Sequence, residues 1–194
     1  MAHSVFIEPD RGTRDRLLLL VRNSIIASVS GAPLPGTGSI DAGVSSGVFV
    51  TLKKNGELRG CIGVTAGAGP TAQAVQDCAI GAAFRDPRFP PVLAGECDLL
   101  EISISLLSAP EPMLPDSRAA LLAGLRPGID GLIVELGRRA ATFLPQVWEQ
   151  LPEPEDFLYH LLRKAGLPGD YWSPDLRCSR YRSFNFAQAD SPGR

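Results

Sequence analysis

The sequence predicts an α/β fold of the α+β type, with a mixed, mainly antiparallel sheet flanked by helices. Three observations carry this expectation. A hairpin is written around Asn55-Gly56, further alternating runs occupy 100–106 and 131–144, and helical periodicity covers 13–30 and 71–85. Hairpin connections outnumber crossovers, which favours antiparallel pairing.

Each element has a local reason. Leu17, Leu20, Val21, Ile25 and Val29 share one face of a helix over Thr13–Ser30. Pro33, Pro35, Gly36 and Gly38 then make 31–46 a loop. Val48–Lys53 is rich in β-formers, and Asn55-Gly56 supplies the two positive φ angles of a type I′ turn, so Glu57–Ile62 returns beside it. A regular register sets Leu52 opposite Arg59 and Val50 opposite Cys61. It also puts Glu57, Arg59 and Cys61 on one face, with Leu58 and Ile62 on the other. Thr71 is the expected N-cap of an alanine-rich helix to Arg85 that buries Ala72, Val75, Cys78, Ala79 and Ala82. Asp86-Pro87 ends it, because the residue before proline avoids helical geometry. Leu100, Ile102, Ile104 and Leu106 alternate with polar residues in a half-buried strand. A short helix spans 117–125, and two strands meet around Gly137-Arg138. Pro154–Ala165 is a helix ending at Gly166, and Tyr181–Ala187 is one last strand. No repeat and no linker divides the chain. A single domain over 13–187 is expected, with 188–194 as a frayed tail.

Composition narrows the functional classes. The 194 residues are 44% hydrophobic and 21% charged, with net charge −2, the profile of a globular chain able to bury a core. Nucleic-acid binding finds no support without clustered cations; Arg177, Arg180 and Arg182 make only a local basic patch. The N-terminal residues carry Glu8, Asp10 and Arg11 and no apolar core of a targeting signal. Leu17–Val21 is far short of the about 20 residues a membrane span needs, so a cytoplasmic address is expected. Cys61, Cys78, Cys97 and Cys178 form no C-x-x-C pair and read as reduced thiols. With only His3 and His160 available, no local set of metal ligands exists. Gly67-x-Gly69 lacks the context of a phosphate loop, so no cofactor is expected.

Candidate chemistry concentrates in three places. Cys61 has Arg59 two residues away, a cation able to support a thiolate. The alternative is a small buried hydrophobe, with Gly60 and Gly63 permitting close approach. Asp86 and Arg88 flank a stiff proline as a potential charged pair, although Asp86 also suits a helix end and Phe89 a core plug. Gln146 follows Pro145 at a strand end, where its amide meets either a ligand or the turn's own backbone. Trp148, Tyr171 and Trp172 read as an aromatic wall or as core. Glu149, Glu153, Glu155 and Asp156 read as a solvated helix start.

The segments Val48–Gly63, Phe84–Pro91, Asp130–Leu132 and Ala141–Pro152 resemble the AMMECR domain family, with Lys164–Pro168 and Tyr171–Ser173 extending the likeness. It covers roughly 13–185, loosens at Val64–Pro70 and after Phe184, and includes an intact Leu58-Arg59-Gly60-Cys61-Ile62-Gly63 signature. Prokaryotic members are called AmmeMemoRadiSam system protein A. The resemblance implies a larger lobe plus a smaller lobe, a cleft near the signature, and Memo-like and radical-SAM proteins as partners. It transfers no catalytic role, because the family's activity is not established.

Two functional readings follow. In one, the chain is a binding or accessory component in which Arg59, Gly60, Cys61, Asp86, Arg88 and Gln146 meet a small molecule or a peptide. In the other, it is a small enzyme using Cys61 and Arg59 in a cleft. A third possibility makes the signature a tightly packed hairpin needed for folding.

Overall fold

The computed structural model describes residues 8–188. His3 and all of the expected tail except Gln188 lie outside them. The chain forms two compact units. The first takes the residues up to Ala109 together with those from Phe184, and the second is Pro110–Ser183. No composition shift marks the boundary, which is why no linker is legible in the sequence.

In the first unit, α1 (Arg11–Ser30) opens on Asp10, whose side chain accepts the Thr13 amide. Gly31, at φ 71°, closes it with a hydrogen bond to the Ala27 carbonyl. Strands β1 (Gly47–Lys54) and β2 (Glu57–Val64) form the hairpin, with Asn55 and Gly56 both at positive φ. Helix α2 (Thr71–Phe84) and β3 (Leu100–Leu107) follow, and β8 (Ser183–Ala187) returns from the far end of the chain. The sheet order is β2-β1-β3-β8, with β1 antiparallel to both β2 and β3. Val48, Val50, Leu52 and Ile104 are wholly buried, and they cluster with Leu17, Val21, Val75 and Ala79 of the helices.

In the second unit, β4 (Glu111–Met113), α3 (Arg118–Gly124), β5 (Gly131–Leu136), β6 (Arg139–Phe143), α4 (Pro154–Lys164) and β7 (Arg177–Tyr181) make a sheet of order β4-β7-β5-β6 and its helical cover. Phe157, Leu158, Leu161 and Leu162 of α4 are fully buried. Trp148 stacks on Phe157 with centroids 3.8 Å apart and donates its indole N–H to the Asp130 carbonyl at 2.7 Å. Trp148 is therefore core, with Tyr171 and Trp172 packed against the same cluster. The fold class is the one the sequence predicts, realised as two four-stranded antiparallel sheets with helices.

Four local expectations are corrected. Thr71 is not an N-cap. Pro70 precedes the helix, and the buried Thr71 hydroxyl sits 2.9 Å from the Ser45 hydroxyl instead of capping an amide. The segment Tyr181–Ala187 is not one strand, because the chain leaves β7 at Tyr181 and enters β8 at Ser183, in a different sheet. Phe89 is no core plug: it is half-buried, with the Arg88 guanidinium over its ring at 5.4 Å. The fourth correction concerns the register of the hairpin itself.

Candidate functional site

A β-bulge interrupts the hairpin beside Leu52-Lys53. Lys53 pairs with Leu58, and Leu52 pairs with Gly60, so Arg59 is the extra residue. Everything beyond the turn slips by one position. Cys61 stands opposite Thr51, and Val50 stands opposite Ile62. A one-residue slip exchanges faces, so Leu58 joins the Cys61 side and Gly60 and Ile62 face α2. The expected common face for Arg59 and Cys61 is lost.

The two residues enter different networks. Arg59 grips Glu96 through Nε–Oε1 at 3.2 Å and Nη2–Oε2 at 3.0 Å. It also donates to the carbonyls of Pro90 at 2.8 Å and Pro91 at 3.3 Å. Lys54 Nζ reaches Glu96 Oε1 at 2.9 Å, and the Leu93 amide reaches Oε2 at 3.0 Å. Arg59, with Lys54 and that amide, holds the Glu96 carboxyl down to about 2. The Cys61 thiol instead accepts a hydrogen bond from the Thr51 hydroxyl at 3.3 Å.

Strand β2 is an edge strand, and the backbone of Cys61 faces outward from it. Asp86, delivered just past the end of α2, accepts the Cys61 amide on Oδ2 at 2.9 Å. Arg88 donates from Nη2 to the Cys61 carbonyl at 3.2 Å. The pair is closed by Arg88 Nε on Asp86 Oδ1 at 2.9 Å and Nη2 on Oδ2 at 2.7 Å. Two side chains thus do the work of a neighbouring strand, satisfying an edge that would otherwise present bare backbone groups. The Asp86 side chain is 2% exposed and that of Arg88 is 54% exposed. The Arg88 guanidinium and the Cys61 amide hold the Asp86 carboxyl far below the usual carboxylate range.

The glycines explain the tightness of the hairpin. A Cβ on Gly60 would meet the Ala82 carbonyl oxygen of α2 at 2.1 Å, and one on Gly63 would meet the Phe49 ring at 2.3 Å. Of the residues singled out from sequence, Arg59, Gly60, Cys61, Asp86 and Arg88 are brought together in the first unit. Gln146 is not among them: it lies exposed on the 3-10 turn Pro145–Glu149 of the second unit. All four cysteines are free thiols. Burial raises Cys78 and Cys178 to about 11 each, which marks them as packing residues.

The AMMECR1 family model matches residues 19–186 of this chain. The chain belongs to the AMMECR1 family. A protein of Methanothermobacter thermautotrophicus is 44% identical over 139 residues, covering 71% of this chain and 72% of its own. A protein of Methanosarcina acetivorans is 39% identical over 190 residues and covers 90% of each chain. Among solved structures, the uncharacterised protein PH0010 from Pyrococcus horikoshii superposes with a TM-score of 0.81 at 32% identity, covering 92% of each chain.

Within this AMMECR1 chain, sequence reasoning missed Glu96. The residue sits in a 3-10 turn, Ala94–Leu99, that carries no motif, and its partners lie 37 and 42 positions away. Its lowered pKa implies a contribution to stability that is complete above the ordinary value of 4.5 and fades as pH falls towards about 2. Glu96→Gln is expected to lose about 2 kcal/mol at pH 7 and progressively less across that window. Urea titrations at pH 7 and pH 3 check this, and an equal loss at both would refute the ionic role.

Proposed function

We propose that this chain is a cytosolic binding or accessory component that works with Memo-like and radical-SAM proteins, and that Cys61 and Arg88 lie at its recognition surface. The observation that carries the reading is the state of Arg88. Its Nε and Nη2 are fixed on Asp86 and on the Cys61 carbonyl, yet 54% of the side chain remains exposed. A guanidinium already ordered by its own protein loses little further freedom when a partner meets it. Asp86, Arg59 and Gly60 then serve to hold the surface in shape. Gln146, exposed on the second unit, is a separate candidate contact. No helix among the described residues is long and apolar enough to cross a membrane.

One observation favours the small-enzyme alternative. The Thr51 hydroxyl donates to Cys61 Sγ at 3.3 Å, an arrangement that suits a nucleophilic thiol. Against it, Arg59 is already neutralised by Glu96.

Titration of the Memo-like and radical-SAM proteins of the same organism, each separately, onto immobilised protein tests the proposal. The expected result is a complex with at least one of them, kept by Cys61→Ser and weakened about tenfold or more by Arg88→Ala, with both variants melting near the parent. The absence of any complex would overturn the accessory reading. Loss of binding in Cys61→Ser with Arg88→Ala unaffected would move the case to the thiol.

A further inference from the structure

A second place in the first unit has the features of a binding site, independently of the Cys61 edge. The segment leading into α1, the loop 41–46, the turn 67–69 and the end of β3 enclose a cavity of about 790 Å³. That volume is in the range of small-molecule pockets. Its charge has one sign. Glu8, Asp10 and Asp41 line it, and no lysine, arginine or histidine does. One oxygen of Asp10 is tied to the Thr13 amide at 2.8 Å and one of Asp41 to the Gly43 amide at 3.3 Å. The Thr13 amide also holds the Asp10 carboxyl below its usual range, so it is ionised at neutral pH. A concave wall of like charges with no counter-cation concentrates a negative field inside it.

The arrangement also says what kind of cation fits. Among the described residues no three carboxylate, histidine or cysteine groups converge closely enough to hold a metal ion. The charges are spread around the wall, and Ala42, Val44 and Leu107 place apolar surface between them. Gly43, Gly67 and Gly69, all at positive φ, leave open space where side chains would stand, so the backbone itself is accessible. Separated carboxylates with apolar surface between them match amines separated by methylene spacers.

We propose that this cavity binds a small aliphatic di- or polyamine. Spermidine, titrated into the full-length protein at physiological salt and followed through backbone amide NMR signals, is the probe. The expected result is a set of saturable shifts confined to Gly43, Ser46, Gly67, Gly69 and their neighbours. The neutral analogue 1,4-butanediol and the anion succinate are expected to produce none of them. The double variant Asp10→Asn/Asp41→Asn keeps both amide acceptors and removes two charges, and it is expected to weaken binding at least tenfold. Asp41→Asn alone gives an intermediate loss and guards against a folding effect in the double variant. Absence of shifts, shifts scattered over the surface, or equal affinity in the charge-neutral variants would each overturn the proposal.

Discussion

Gly60→Ala is expected to destabilise the first unit by about 3 kcal/mol, a large effect for a single methyl group. The new Cβ would lie 2.1 Å from the Ala82 carbonyl oxygen and 3.0 Å from its carbonyl carbon. Both belong to the backbone of α2, which has no rotamer through which to retreat. The helix cannot simply step back, because Gly81 already lets Ile62 in so closely that a Cβ there would be 2.9 Å from its Cγ2. Strand and helix are thus mutually notched, and a methyl group forces them apart along the buried row of Val48, Val50 and Leu52. Chemical denaturation with a probe in the first unit measures the loss. A change below about 1 kcal/mol would show that the contact relaxes freely, and the packing account of the signature glycine would fail.

Asp86→Ala is the second large effect, about 3–4 kcal/mol at neutral pH. The substitution removes an acceptor that serves the Cys61 amide, the Arg88 amide and the Arg88 guanidinium together. Arg88 is half-exposed and can return to water, but the Cys61 amide loses its partner at a sheet edge. The pH dependence follows from the lowered carboxyl. Its stabilisation is fully present above the ordinary value of 3.8 and declines as pH falls below that value. The deficit of the variant should therefore be largest at neutral pH and narrow in acid. Hydrogen exchange at the Cys61 amide gives an independent reading, with exchange expected to accelerate in the variant even where the protein remains folded. Unchanged protection of that amide would mean that the edge is held by something other than Asp86.

Much of the fold is legible because it depends on neighbours in sequence. Asn55-Gly56 dictates its turn whatever surrounds it, and the periodicities of α1 and α4 identify their buried faces directly. What escapes is whatever depends on distant residues. The bulge at Arg59 leaves no pattern in Glu57–Val64, since one extra residue in a strand changes register without changing composition. It nevertheless decides that Arg59 serves Glu96 while Cys61 meets Thr51. Asp86 and Arg88 are recognisable as a pair from Asp86-Pro87-Arg88, but their hold on a strand edge 25 and 27 positions earlier is not. The passage from β7 to β8 is hidden for a similar reason. β-Formers lie on both sides of Arg182, and nothing local says that they join different sheets.

The return of β8 to the first sheet has a consequence for how the molecule is made. The first unit is discontinuous: its last strand emerges from the ribosome only after the whole of Pro110–Ser183. Until then β3 lacks its neighbour, and Arg22 lacks the Gln188 side chain that it holds at 2.7 Å in the finished fold. The second unit is one continuous stretch and can close during synthesis. The order of assembly therefore runs opposite to the order of translation, with the later-made unit complete before the earlier-made one.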